Sequence, residues 1–181
     1  VRKSLNLKLT GALDIYMVDE KTGKVVEERH IKNDIVDSGE IWIAELLANE
    51  YLDDSAMDQG AGAIGNGLQY IHIGTSSSPT TQGMFNLQGY TGITTYYVSC
   101  TGSRDVQSPG NKIVATGTYA TDVGNGTLHE AGLFSTSIGT DISTMTSHTG
   151  RMFNRTTFAT ITKTTDFSLT LQWTITIGSV S

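Results

Sequence analysis

From Phe167 to Ile177 the chain alternates without a break: Phe167, Leu169, Leu171, Trp173, Ile175 and Ile177 are apolar, and Ser168, Thr170, Gln172, Thr174 and Thr176 are polar. A period of two sends all six large apolar groups to one face of an extended chain, which predicts a half-buried β-strand. Its polar face is mainly threonine, which suits a pleated sheet and turns hydroxyls toward water or a neighbouring subunit. No ionisable group lies inside the stretch. The rest of the chain must therefore supply a second apolar layer to cover that face.

Most other segments have strand character. Leu5, Leu7 and Leu9 alternate with polar residues, Leu13–Val18 continues in the same manner, and Asp19–Gly23 supplies turn chemistry before Lys24–Ile31. Residues 1–31 thus predict an N-terminal hairpin or arm, whose second strand carries Glu27, Glu28 and Arg29 and suits a solvated edge. A short helix is expected over about 38–47, with Asp37 or Ser38 as cap, Glu40 three residues after Asp37, and Ile43, Leu46 and Leu47 on one face beside Trp42. The pattern then breaks over 49–67, which reads as a flexible or partner-ordered loop.

Beyond it, Leu68–Ile73 reads as a central strand ending at Gly74, followed by a hydroxyl-rich loop around Pro79 and a Gly-broken stretch holding Met84, Phe85, Leu87 and Tyr90. Tyr96–Thr101 is expected as a strand, Ser103–Asn111 as a turn and Lys112–Ala120 as a strand. Asn125-Gly126 is a strong hairpin signal, from which Thr127–Phe134 returns. Ser135–Gly150 reads as a long exposed loop and Arg151–Ile161 as the strand before the last one. Many strands at this spacing with one short helix predict a single all-β domain over 1–181, an antiparallel β-sandwich of jelly-roll type, with a closed barrel as the competing layout.

Composition narrows the function. The chain has 181 residues, enough for one well-buried core, with 17% charged residues, 38% hydrophobic ones and a net charge of −6. Twelve scattered Lys and Arg do not supply the basic cluster that phosphate neutralisation needs, so direct nucleic-acid binding is not expected. A single cysteine, Cys100, excludes an intrachain disulfide and a thiolate zinc cage. Neither a signal peptide nor a bilayer-spanning run is evident, so folding in a reducing cytoplasm without membrane contact is expected.

Catalytic constellations are fragmentary. His30, His72, His129 and His148 are far apart and none has a metal-ligand spacing. The Gly60–Gly65 match to a dinucleotide fingerprint lacks the required strand before it and helix after it, and Asp53, Asp54 and Asp58 lack the closing glutamate of an EF-hand. Glu130, partnered by Asp122 or Glu40, is the candidate carboxylate pair for glycoside hydrolysis. His129 and Glu130, as neighbours on a strand, should point to opposite faces. The expectation is a protein without enzymatic activity, cofactor or metal. Trp42, Trp173, Phe134, Phe158, Tyr96 and Tyr97 are the structural or interface candidates.

Lys32–Leu47, Tyr70-Ile-His-Ile-Gly-Thr75 with its Pro79-Thr80 loop, Glu130-Ala-Gly-Leu-Phe134, and Met152-Phe-Asn-Arg-Thr-Thr-Phe158 running on to Ile161-Thr-Lys163 and the Trp173 strand form four segments. Together they resemble virion structural proteins of tailed bacteriophages. The resemblance covers most of the chain from Lys32 onward. It implies a small β-rich protein that decorates a capsid or builds a tail or fibre, and it carries no transferable active site. A capsid decoration protein acting as a homotrimer on the major capsid protein is the first expectation. A tail, baseplate or fibre-attachment component, with glycan contacts at Tyr90, Tyr96 and Tyr97, is the second. The virion, assembled in the host cytoplasm, is the expected location.

Overall fold

The computed structural model describes residues 7–37, 39–40, 43, 68–84, 86–93, 95–105, 112–134 and 152–179. Nine strands occur among them: β1 (Leu7–Asp19), β2 (Lys24–Ile35), β3 (Tyr70–Gly74), β4 (Tyr97–Ser99), β5 (Thr101–Asp105), β6 (Lys112–Tyr119), β7 (Gly126–Phe134), β8 (Met152–Lys163) and β9 (Phe167–Ser179). Their hydrogen-bonded order is β4-β3-β7-β8-β2-β1-β9-β6-β5, with every pairing antiparallel. Two sheets result: β2-β1-β9-β6-β5 and β4-β3-β7-β8. The end of β2 joins them, because it pairs with β1 from Lys24 to Asn33 and with β8 only at Asp34 and Ile35.

The alternation of β9 explains the layering. Leu169, Leu171, Trp173 and Ile175 are buried beside Leu13, Ile15 and Met17 of β1 and Ala115 and Tyr119 of β6. The second sheet covers them with Ile71, Ile73, Leu128, Ala131, Leu133, Phe158 and Ile161. The Tyr119 hydroxyl donates across the core to the Ile71 carbonyl at 2.7 Å, pinning one sheet to the other. Gly117 lets them approach, since a Cβ there would lie 3.1 Å from Val98 Cγ2 and 3.2 Å from Ile71 Cδ1. The molecule is all-β and sandwich-like.

Its two long edges are turned by strands that change sheets, a recognised way of building sandwich corners. At one edge β2 crosses at Asn33–Asp34. At the other only Cys100 separates β4, which pairs with β3, from β5, which pairs with β6. Residues Tyr96–Thr101, expected as one strand, are therefore broken where the partner changes, and Ser103–Asp105, expected in a turn, continue as β5. Over Lys24–Ile31 β2 has no ladder to β8. Arg29 bridges that gap instead, donating to the Ala159 and Thr160 carbonyls at 3.0 and 3.2 Å while pairing with Glu27. Those carbonyls belong to a bulge, the place where β8 carries extra residues opposite His129.

The Asn125-Gly126 turn does not make the expected hairpin. β6 lies in one sheet and β7 in the other, so residues 120–125 cross between sheets. Gly124 and Gly126, with φ of 69° and 147°, supply the backbone freedom. The N-terminal hairpin forms as β1–β2, with β1 between β2 and β9 rather than at the periphery. Positions 37, 39, 40 and 43 are helical. The rest of the expected 38–47 helix, including Trp42, and the expected 49–67 loop lie outside the described residues.

Candidate functional site: a buried ion pair beneath the 75–96 segment

The face of β3 and β7 that points away from the main core is covered by the chain between β3 and β4. A register break between Leu128 and Glu130 shifts the alternation of β7. Leu128, Ala131 and Leu133 enter the main core, while Glu130, Gly132 and Phe134 take the covered face. There Phe134, Leu87, Val36 and Met152 form a second apolar cluster, with Tyr70, Met84 and Tyr90 packed against it.

Glu130 is fully buried, as is its partner Arg155 on β8. The Arg155 Nε donates to Glu130 Oε2 at 2.7 Å. The remaining acceptor capacity of the carboxylate is taken by backbone: Gly89 N and Gln88 N donate to Oε1 at 2.8 and 3.0 Å, Ser76 N at 3.2 Å, and Gln88 N also reaches Oε2 at 3.1 Å. The guanidinium continues outward to the Ser78 carbonyl at 2.9 Å and the Thr80 hydroxyl at 3.1 Å. Thr75 N closes the loop base on the Gly89 carbonyl at 2.9 Å. Glycine is required at position 74, because a Cβ would fall 2.5 Å from both Glu130 Oε1 and the Gly89 carbonyl. A buried charge is tolerated when it is paired and its other sites are hydrogen-bonded, and both conditions hold here.

A second buried cation, Lys163, closes the end of the sandwich. Its ammonium donates to the Ala120 carbonyl at 2.7 Å and Asn125 Oδ1 at 2.9 Å, tying the β6–β7 crossing to β8. Burial lowers its pKa, against the opposing influence of Asp122 and Glu20.

His72, on β3, is also fully buried, and neither ring nitrogen has a hydrogen-bond partner among the described residues. Its ring lies 4.1 Å from that of Phe134 and 5.7 and 5.6 Å from those of Tyr96 and Tyr97. Burial alone holds its pKa down at about 3, so it is neutral at ordinary pH. Tyr90 packs against Tyr96 with ring centres 4.5 Å apart and planes tilted by 60°, donates a hydrogen bond from its hydroxyl to Asn86 Oδ1 at 2.6 Å, and has its own pKa pushed up by burial.

Trp173, Phe134 and Phe158 sit in the two cores, and Tyr96 and Tyr97 are half-buried around His72. The carboxylates considered for hydrolysis are not gathered into one cleft. Glu130 is enclosed by its amide and guanidinium donors, whereas Asp122 and Glu40 are exposed. An open cavity of about 450 Å³ takes Glu40 into its wall, with Leu9, Ile35, Val36 and Thr80–Gln82, and Glu130 is not part of that lining. His30, on the outer face of the larger sheet, contacts Asp14. Among the described residues no cluster of three or more His, Cys, Asp or Glu could hold a metal, and no helix is long and apolar enough to cross a membrane.

The sequence offers Asp122 or Glu40 as partner for Glu130, whereas the structure pairs it with Arg155, which sequence reasoning misses. The available signal was one carboxylate and one guanidinium, each flanked on its strand by apolar or neutral residues, where charges are rarely buried unless they pair. Comparison of the chain with protein-family models, curated proteins and solved structures finds no match.

Proposed function

We propose that the chain is a structural protein of a tailed-phage virion, first of all a capsid decoration protein that binds the head lattice as a homotrimer and stabilises it. The observation that supports this reading most is the convergence at Glu130 and Arg155. Three of the four segments resembling phage virion proteins, Tyr70–Thr75 with its Pro79 loop, Glu130–Phe134 and Met152–Phe158, meet in that one network. Its groups are spent on holding a long surface segment in place, which is the task of a scaffold. A jelly-roll kinship for the two-sheet arrangement belongs to the same proposal.

Attachment would then be a matter of multivalency. A trimer over a three-fold point engages several capsid subunits at once, so that modest single contacts add up to near-permanent binding. The outer face of β6 and β9 offers fixed polar groups for such contacts, with Thr118 and Thr170 hydroxyls joined at 2.9 Å and Gln172 Nε2 on Thr116 Oγ1 at 3.2 Å. The test is co-sedimentation of purified protein with heads of the encoding phage assembled without it, followed by imaging. Saturable binding at symmetry-related head positions is expected, and binding to tails with none to heads would replace the decoration role by a tail role.

A further inference from the structure

We propose that the 75–96 segment is an acid-released cover, detached from the β3–β7 face by protonation of His72. The inference rests on an asymmetry in how that segment is held. Toward β8 it is anchored by charge-assisted bonds, from Glu130 to the amides of Ser76, Gln88 and Gly89 and from Arg155 to Ser78 and Thr80. Toward β4 it is held by neutral contacts only: the Tyr96 carbonyl accepts from Ile73 N at 2.9 Å and from the Tyr119 hydroxyl at 3.1 Å, Ile93 packs on the main core, and rings surround His72. There His72 has two unpartnered nitrogens, and the Tyr96 hydroxyl is likewise buried without a partner among the described residues. Thr95, directly before Tyr96, has a φ of 55°, a strained value for a β-branched residue. Opening the cover would release that strain and bring water to all three polar atoms.

The groups facing His72 offer an imidazolium nothing to pair with. Tyr70 lies on its own strand, Tyr96 and Tyr97 come from the β4 side, Phe134 from β7, and Tyr90 stands behind Tyr96. On β7 the register sets Gly132 opposite His72, with Glu130 two residues further on and already paired with Arg155. Burial raises the pKa of the Tyr90 and Tyr96 hydroxyls, so neither supplies a phenolate in the acid range. A proton that enters the closed site therefore meets no counter-charge, whereas the opened site lets the ring bind it in water at an ordinary pKa. The open form gains about tenfold in population per pH unit below about 6.5.

Hydrogen exchange read by mass spectrometry, corrected for the pH dependence of chemical exchange, tests this on the full chain between about pH 7 and about pH 5. Peptides spanning 75–96 are expected to lose protection on acidification while β9 keeps its own, and His72→Phe is expected to abolish that loss. The proposal is overturned if 75–96 and β9 lose protection together, if neither changes, or if His72→Phe responds to acid as the parent does, which would assign the effect to Glu130. Should His72→Phe not fold, NMR titration of the unaltered protein decides. The His72 ring must gain its proton in the same step in which the Ser76, Gln88 and Gly89 amides leave their closed positions, and amides that move while the ring stays neutral contradict it.

Discussion

At the scale of single residues, the costliest groups are the buried polar ones. Removing one partner of a buried ion pair typically costs about 3–5 kcal/mol, because the other charge is left uncompensated. Glu130→Gln should destabilise the protein by about that amount in urea denaturation, since Arg155 keeps its charge and amide donors replace part of the acceptor set. Glu130→Leu combined with Arg155→Met should recover much of the loss, as no bare charge remains. A double variant less stable than Glu130→Gln would show that the pair stabilises chiefly through the loop amides. His72 sets a pH dependence of definite sign. Its folded pKa of about 3 lies below the unfolded value of about 6.5, so between these limits the unfolded chain binds a proton that the folded chain refuses. Stability should be unaffected by this group above about pH 6.5 and fall by up to about 1.4 kcal/mol per pH unit below it. Denaturation midpoints measured across that range should show a shallower acid slope for His72→Phe.

At the scale of elements, β9 carries the main core and β2 a weak flank. Trp173 is fully buried, and Trp173→Ala should cost about 3–5 kcal/mol. Trp173→Phe should cost clearly less, because it removes an indole N–H that has no acceptor among the described residues. Arg29 substitutes for a missing ladder between β2 and β8, so Arg29→Ala should raise amide exchange over Lys24–Ile31 and across the Ala159–Thr160 bulge while β9 stays protected. The alternation of β9 was legible because one face of it is buried against one layer. What period two cannot convey is which strand lies alongside. Tyr96–Thr101 keeps strand character on both sides of Cys100, yet its partner changes there from β3 to β6. Asn125-Gly126 has the right residues for a tight turn, and Lys163 uses that turn to join two sheets. The Glu130–Arg155 site was half visible, as two isolated opposite charges in strands about 25 residues apart. The backbone donors from Ser76, Gln88 and Gly89 have no side-chain signature at all.

At the scale of the whole molecule, β2 and the β4–β5 segment turn both edges of the sandwich, and the exposed surface among the described residues offers little apolar area. Val25 and Val26, each about half exposed (52% and 50%), are the large hydrophobic residues on it. Association through this surface would rest on polar contacts repeated by symmetry, and it should weaken as salt rises if charged groups take part. The account's central claim is that the protein works as a self-assembled structural unit. The most direct measurement is its molar mass by light scattering on a sizing column over a range of protein and salt concentrations. The proposal predicts a species of three times the chain mass that persists on dilution, and a monomer under every condition would contradict it.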